Sequence, residues 1–211
     1  MKRHGFAAVV GAVVVVAAGA GAIMVHAGAE PAKPDPALMK EMSPEMQEMM
    51  KQYMALAEAG PEHAVLRKLE GRWTTRIKLM GGAGMPASES TGTAKGTLVH
   101  GGRYLMLESS GEMMGIPCDV THLMGYDRFQ KMHTVGIWGN TSTQMHMFTG
   151  QTDAGGSSIT YTGEMNDIAG KRNVKFVMRL DGEDGYQLEA YDTLPDGTEL
   201  KVLETTFTRA K

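Results

Sequence analysis

Three histidines, His122, His133 and His146, fall on consecutive stretches that read as β-strands. Neutral imidazole is a ligand for zinc, copper or haem iron, and a thioether such as that of Met124 suits Cu(I). Whether these side chains meet depends on hairpin register. A symmetric four-residue turn at Asp127-Arg128-Phe129-Gln130 sets His122 opposite Val135 and Met124 opposite His133. A turn at Gly139-Asn140-Thr141-Ser142 sets Val135 opposite His146 and His133 opposite Phe148. In that register all three histidines share one sheet face with Met124, Val135, Ile137 and Phe148. Diagonal neighbours then lie ~7–8 Å apart, which lets two imidazoles reach a common ion. A slip of one residue in either hairpin sends a histidine to the opposite face. The face made by Met132, Thr134, Gly136, Trp138, Met145 and Met147 is a credible interior as well. The spacing also lacks the close ligand pairs of a zinc motif. Histidines standing singly on strand surfaces are the plainer reading.

Methionine offers a second chemistry. The chain holds 19, six of them between Met39 and Met54. Clustered thioethers could capture copper, yet Met39, Met42, Met46, Met49, Tyr53 and Leu56 alternate spacings of three and four. A packing stripe on a helix needs that period and a metal site does not. No nucleophile constellation is evident. Cys118 and His122 share a strand face but lie too far apart to hydrogen-bond, and a lone cysteine is ordinarily a small apolar residue. The carboxylates of Glu108, Asp119, Asp127 and Glu164 are scattered. Gly81-Gly82-Ala83-Gly84 precedes no helix, so it is not a phosphate loop.

The elements that position these residues are short. Residues 30–36 hold three prolines and read as an extended linker. A helical stretch follows to about Ala59; Ser43-Pro44-Glu45 places an N-cap before a proline, so the helix begins or restarts at Pro44. Gly60-Pro61 stops it, and a shorter helix carries Val65, Leu66 and Leu69. From Gly71 the period changes to two, beginning with Trp73, Thr75, Ile77 and Leu79. Further strands are expected at 91–99, 103–110, 118–126, 131–138, 143–150, 157–164, 172–181, 185–193 and 198–209. Turn residues such as Gly101-Gly102, Asp181-Gly182 and Pro195-Asp196-Gly197 separate them. About ten strands with hairpin-length links and no crossover helices expose two sheet edges unless they close. An up-and-down antiparallel β-barrel removes both edges.

Local patterns strengthen the barrel reading. Gly71-Arg72-Trp73 opens the first strand and Arg209 stands on the last. This resembles the calycin superfamily of lipocalins, fatty-acid-binding proteins and their relatives. There a G-x-W start and a C-terminal cation pair at the closed end of the barrel, as an Arg over an indole face favours. A wider pattern runs through His63-x-x-Leu66-x-x-Leu69-x-Gly71-x-Trp73, Gly101-Gly102-Arg103-Tyr104, Gly125-Tyr126-Asp127 and Tyr191-Asp192. It continues through Asp196-Gly197-x-Glu199-x-Lys201 to Thr208-Arg209. Across residues 63–211 it is similar to the bacterial family called domain of unknown function 1579. The resemblance implies a calycin-like barrel closed by Trp73 and Arg209, and carries over no activity. Members of that family tend to have Trp-x-Asp in the fifth strand; here the stretch reads Gly136-Ile137-Trp138, so that feature does not transfer.

The N-terminus has the three-part grammar of a secretory signal. Lys2, Arg3 and His4 give a basic start, an uncharged run extends from Phe6 to Val25, and small residues follow at Val25-His26-Ala27 or Ala27-Gly28-Ala29. A retained anchor is the rival reading, since the run is near the ~20 residues that span a bilayer; its Ala and Gly content favours cleavage. Cys118 is the only cysteine, so the fold holds without an intramolecular disulfide. The formal charge is −3 with no basic cluster, which argues against a nucleic-acid partner.

The organisation expected is therefore a signal peptide over 1–29, a linker and Met-rich helical extension over 30–62, and a barrel over 63–211. The chain is exported, periplasmic or extracellular, with membrane contact only through an uncleaved signal. The function expected is non-enzymatic binding of a small apolar or amphipathic ligand in a barrel cavity. His122, Met124, His133, His146 and Phe148 are the candidate ligand- or metal-binding residues. No cofactor is expected; the alternatives are a haem, zinc or copper protein using the barrel histidines, or an enzyme on the same cavity. A second copy of the chain is the candidate partner for the Met-rich helix.

Overall fold

The computed structural model describes residues 35–81, 86–167, 170–194 and 196–211. The signal expected over 1–29, the start of the linker, most of Gly81–Gly84 and Pro195 lie outside these residues. The chain opens with helix α1 (Pro36–Glu41) and helix α2 (Pro44–Ala57). Ser43 separates them, its hydroxyl accepting from the Met46 N–H at 3.3 Å. That bond satisfies one of the donors a helix N-terminus leaves free. A 3₁₀ turn (Pro61–His63) leads into helix α3 (Ala64–Lys68).

Ten antiparallel strands follow: β1 (Gly71–Leu79), β2 (Ser88–Val99), β3 (Tyr104–Met113), β4 (Ile116–Asp127), β5 (Met132–Gly139), β6 (His146–Thr152), β7 (Ser158–Asp167), β8 (Gly170–Asp181), β9 (Gly185–Thr193) and β10 (Glu199–Arg209). Each pairs with its sequence neighbours, and β1 pairs with β10, so the sheet closes into a barrel. Closure leaves no strand edge free. A bulge in β10 between Lys201 and Leu203 adjusts the register against β9.

Alternation decides what fills the interior. Leu105, Leu107, Met124, Val135, Phe148, Tyr161, Met178, Tyr186 and Phe207 point inward and are buried. One end of the barrel is closed by α3 and the residue that caps it: Leu66 and Leu69 join Trp73 in the core. The indole Nε1 of Trp73 donates to the Leu69 carbonyl at 3.0 Å. Gly96 is required beneath this cap, because a Cβ there would collide with the Leu69 carbonyl. Arg209 lies over the Trp73 ring, 4.2 Å from its centre. It also donates to the carbonyls of Lys68, Glu70 and Glu183. Its position joins the first strand, the last strand, the α3 end and the β8–β9 turn.

Helix α2 is attached differently. None of its residues is buried, and Met49 and Leu56 of the apolar stripe are exposed. Its C-terminal carbonyls are held by two arginines from turns at the closed end. Arg103 donates to Ala57, and Arg128 donates to Ala55 at 2.5 Å. Cations suit a helix C-terminus because its carbonyls are otherwise unpaired. Tyr53 meets Phe129 with ring centres 5.5 Å apart. The barrel therefore grips the end of α2 and leaves Met49 and Leu56 of its stripe exposed.

Candidate functional site

Register places the histidines. His122 pairs with Ile137 and Ile137 with His146; Met124 pairs with Val135 and Val135 with Phe148; Tyr126 pairs with His133 and His133 with Gly150. All three histidines therefore stand on the inward face, with Met124 and Phe148 between them. The pairings themselves differ from those expected: both hairpins are shifted by two residues, which preserves the face. The first shift has a clear cause. The Asp127 carboxylate accepts from the N–H groups of Phe129 and Gln130 at 2.8 and 2.9 Å. This makes Asp127 the residue before the turn, and Lys131 takes the left-handed conformation that closes it. The second shift comes from a longer loop. Asn140 is tied to β4, its side-chain oxygen accepting from the Asp119 N–H at 3.0 Å. β6 accordingly starts only at His146. The rival face is the outer one, with Met145 and Met147 largely exposed.

The three histidines do not converge. His122 and His146 occupy one row but are separated by β5, roughly 10 Å at two strand spacings. His133 lies four residues further along its strand than Ile137, about 13 Å away at the rise of a strand. Among the described residues no three His, Cys, Asp or Glu side chains gather closely enough to hold a metal ion.

His133 belongs to the closed end. Its Nε2 lies 2.7 Å from the Thr152 hydroxyl, and its Nδ1 is buried without a hydrogen-bond partner. Its ring meets Tyr126 edge-on at 4.9 Å, and Tyr126 in turn meets His63 at 6.0 Å. The His63 Nδ1 accepts from the Gly60 N–H at 3.1 Å. Burial lowers the pKa of His63, and burial followed by the charge of His63 lowers that of His133 to about 4. Both rings are neutral at pH 7 and brace the cap.

The other end is open and holds a cavity of about 190 Å³. Its walls include Ile77, Met113, Val120, His122, Ile137, Phe176, Leu188 and Leu203. Small inward side chains face the space at this level: Thr75 on β1, Ser109 and Gly111 on β3, and Thr205 on β10. Below it, Tyr161, Tyr186, Phe176, Met178 and Phe207 fill the barrel, leaving only about 20 Å³. His122 lines both spaces. Burial pushes its pKa down to about 4, opposed in part by the Leu107 backbone. His146, half-buried, does not line the open cavity.

Several polar side chains in this region were not singled out by sequence reasoning. Ser109, Thr75 and Thr205 line the open cavity, beside Cys118, which the sequence had set aside as a nucleophile. Tyr161 and Tyr186 hydroxyls are buried below it without partners, and burial raises both pKa values. The available signal was alternation: Thr75 shares parity with Trp73, and Ser109 with Leu107.

Together these features define a closed antiparallel barrel, sealed at one end and open at the other onto an apolar cavity. The chain belongs to the family described as protein of unknown function (DUF1579), whose model matches residues 58–209. A comparison with curated proteins finds no match. Among solved structures, the crystal structure of Rv2717c from M. tuberculosis is similar, with a TM-score of 0.56 and 14% identity over 73% of this chain and 100% of that one. At that identity the likeness is one of fold. A redesigned β-barrel aligns over 69% of this chain and 95% of its own at 14% identity, with a TM-score of 0.36.

The motifs that carry the family resemblance now have structural roles. His100, Gly101 and Gly102 turn the chain with positive φ, which presents Arg103 to α2. Tyr104 pairs with Gly125 and covers it with its ring. Asp196 accepts from the Thr198 N–H at 2.9 Å and shapes the β9–β10 turn. None of these lines the open cavity.

Proposed function

We propose that the barrel binds a small apolar or amphipathic molecule in the cavity at its open end, without catalysing a reaction. The cavity of about 190 Å³ carries this reading. A comparable apolar cavity of about 150 Å³ takes a benzene-sized molecule. The space here therefore suits a single ring or a short chain. It is too small to enclose a porphyrin, which argues against the haem alternative. Catalysis lacks a partnered nucleophile: Cys118 and His122 both line the cavity but stand four residues apart on β4, about 13 Å along the strand.

A native mass spectrum of the protein from its own host tests retention of an organic molecule. Toluene titration followed by methionine-methyl resonances tests the cavity directly, since Met113 lines it. Val120→Phe fills the space and is expected to abolish the toluene response in a folded protein. A folded wild-type protein without retained molecule or toluene response would refute the proposal. We also propose that the chain acts outside the cytoplasm, a reading supported by the signal grammar of residues 1–29.

A further inference from the structure

Large apolar side chains stand exposed around the open end of the barrel. The strands alternate in direction, so every second connection lies at that end. Met80 follows β1, Met114 and Ile116 belong to the β3–β4 hairpin, Met145 precedes β6, and Leu194 and Leu200 flank the β9–β10 turn. Each is between 36% and 61% exposed. They sit on four connections that are distant in the chain, and closure alone gathers them around one mouth. Ten strands at ~4.8 Å spacing make that mouth about 15–20 Å across.

The arc borders the entrance to the apolar cavity, and Met113 of the cavity wall leads directly into Met114 of the rim. Apolar surface gathered in this way is unfavourable in water unless something covers it. Area argues against a folded protein as the cover. At about 200 Å² for a large side chain, these exposures amount to roughly 550 Å², short of the ~800 Å² that each partner buries in a stable protein interface. A bilayer demands no matching shape, and its hold scales with the apolar area inserted.

Charge selects the kind of bilayer. Each described lysine and arginine on this half of the barrel is ion-paired with a carboxylate, as Lys78 is with Glu204 and Lys171 with Glu164. Glu112 and Asp196 stand exposed beside Met114 and Leu194. Anionic headgroups would meet these carboxylates with no free cation to offset them, whereas a phosphocholine surface turns its ammonium groups outward.

We propose that the open end of the barrel docks on a zwitterionic lipid surface, with the rim side chains inserted among the lipids. In the docked state the mouth faces the lipid, so an apolar molecule reaches the cavity without crossing water. This contact is separate from the apolar run of residues 6–25 and does not require the cavity to be occupied.

The test floats the chain from Glu30 onward, which retains every described residue, with phosphatidylcholine vesicles at neutral pH. The wild-type protein is expected to float with them, and less with phosphatidylglycerol vesicles. Ile116→Glu and Met145→Glu should each lower partitioning about tenfold, the scale of one large apolar side chain kept out of lipid. Met49→Glu, on the exposed stripe of α2, should float as the wild type does. Should one rim variant fail to fold, the other decides. Absence of flotation, unchanged flotation of the folded rim variants, an equal loss in Met49→Glu or a preference for the anionic vesicles would overturn the proposal. A dimer formed through the rim without lipid would also overturn it and assign the patch to a second copy. The toluene response is read separately, so failure of docking leaves cavity binding standing, and loss of the toluene response leaves docking standing.

Discussion

Arg209 makes one ring contact and reaches three backbone carbonyls, so its loss should be felt at several elements at once. Arg209→Ala is expected to destabilise by about 2 kcal/mol or more, combining cation–π and charged hydrogen bonds. Trp73→Ala should cost more, ~3–5 kcal/mol, because a buried ring is removed. A double-mutant cycle on denaturation midpoints should show coupling above ~0.5 kcal/mol; strict additivity would contradict the contact. The buried histidines give a pH signature. An unfolded histidine titrates near pH ~6.5, while His122 and His133 titrate at about 4 in the folded protein. Between these values the unfolded chain binds more protons. Stability is therefore expected to be flat with respect to these groups above ~6.5 and to fall as pH drops toward ~4, by up to ~1.4 kcal/mol per pH unit for each histidine. Urea unfolding at neutral pH and at two points inside that window measures the slope. Replacing both histidines by leucine should remove most of it and leave the share of His63, whose pKa burial also lowers; a wild-type protein with no slope there would exclude their buried neutral state.

At the level of elements, the two ends of the barrel are built differently. The β3–β4 hairpin is longer than its sequence pattern suggests, because Met114 and Gly115 both adopt positive φ and turn the chain in two residues. A methionine in that conformation gives little warning in a sequence. At the closed end α3 approaches the sheet so closely that only Gly96 fits. Gly96→Val is expected to cost about 2 kcal/mol or more through displacement of the cap. Helix α2 contrasts with α3, since none of its residues is fully buried. Deleting residues 30–59 should leave a folded barrel with a denaturation midpoint close to that of the full chain. The exposed Met49 and Leu56 of its stripe are expected to meet a second copy of the chain. Sedimentation of the full and truncated proteins checks this; a monomeric full chain would contradict it.

Across the whole molecule, closure and cavity have one origin. Ten strands close around Tyr161, Met178, Tyr186 and Phe207, whereas Thr75, Ser109, Gly111 and Thr205 face the interior towards the open end. The mismatch leaves space at the end that α3 does not cover. No helix among the described residues is long and apolar enough to cross a membrane. The export reading rests on residues 1–29 and has its own test. Expressed with its own leader in a bacterial host, the protein is expected outside the cytoplasm with a new N-terminus near Gly28 or Glu30. An intact Met1 in the soluble cytoplasmic fraction would contradict it.

The barrel was legible in the sequence because alternation and turn residues are local signals. Period two from Trp73 to Phe207 marked the strands, and Gly71-x-Trp73 with Arg209 marked the closure. The shared face of His122, His133 and His146 was legible for the same reason, since face depends on parity and survives a two-residue shift. Their separation was not, because it depends on how far along neighbouring strands each residue lies, and Asp127 and Asn140 set that through bonds across turns. The cavity was legible least of all. Its walls come from seven strands that are distant in the chain, and its volume is the difference between large and small side chains facing one another only after closure. Ser109 and His122 come to line one space for that reason alone: pairing of β3 with β4 brings them together on the inward face, and closure sets the walls opposite them.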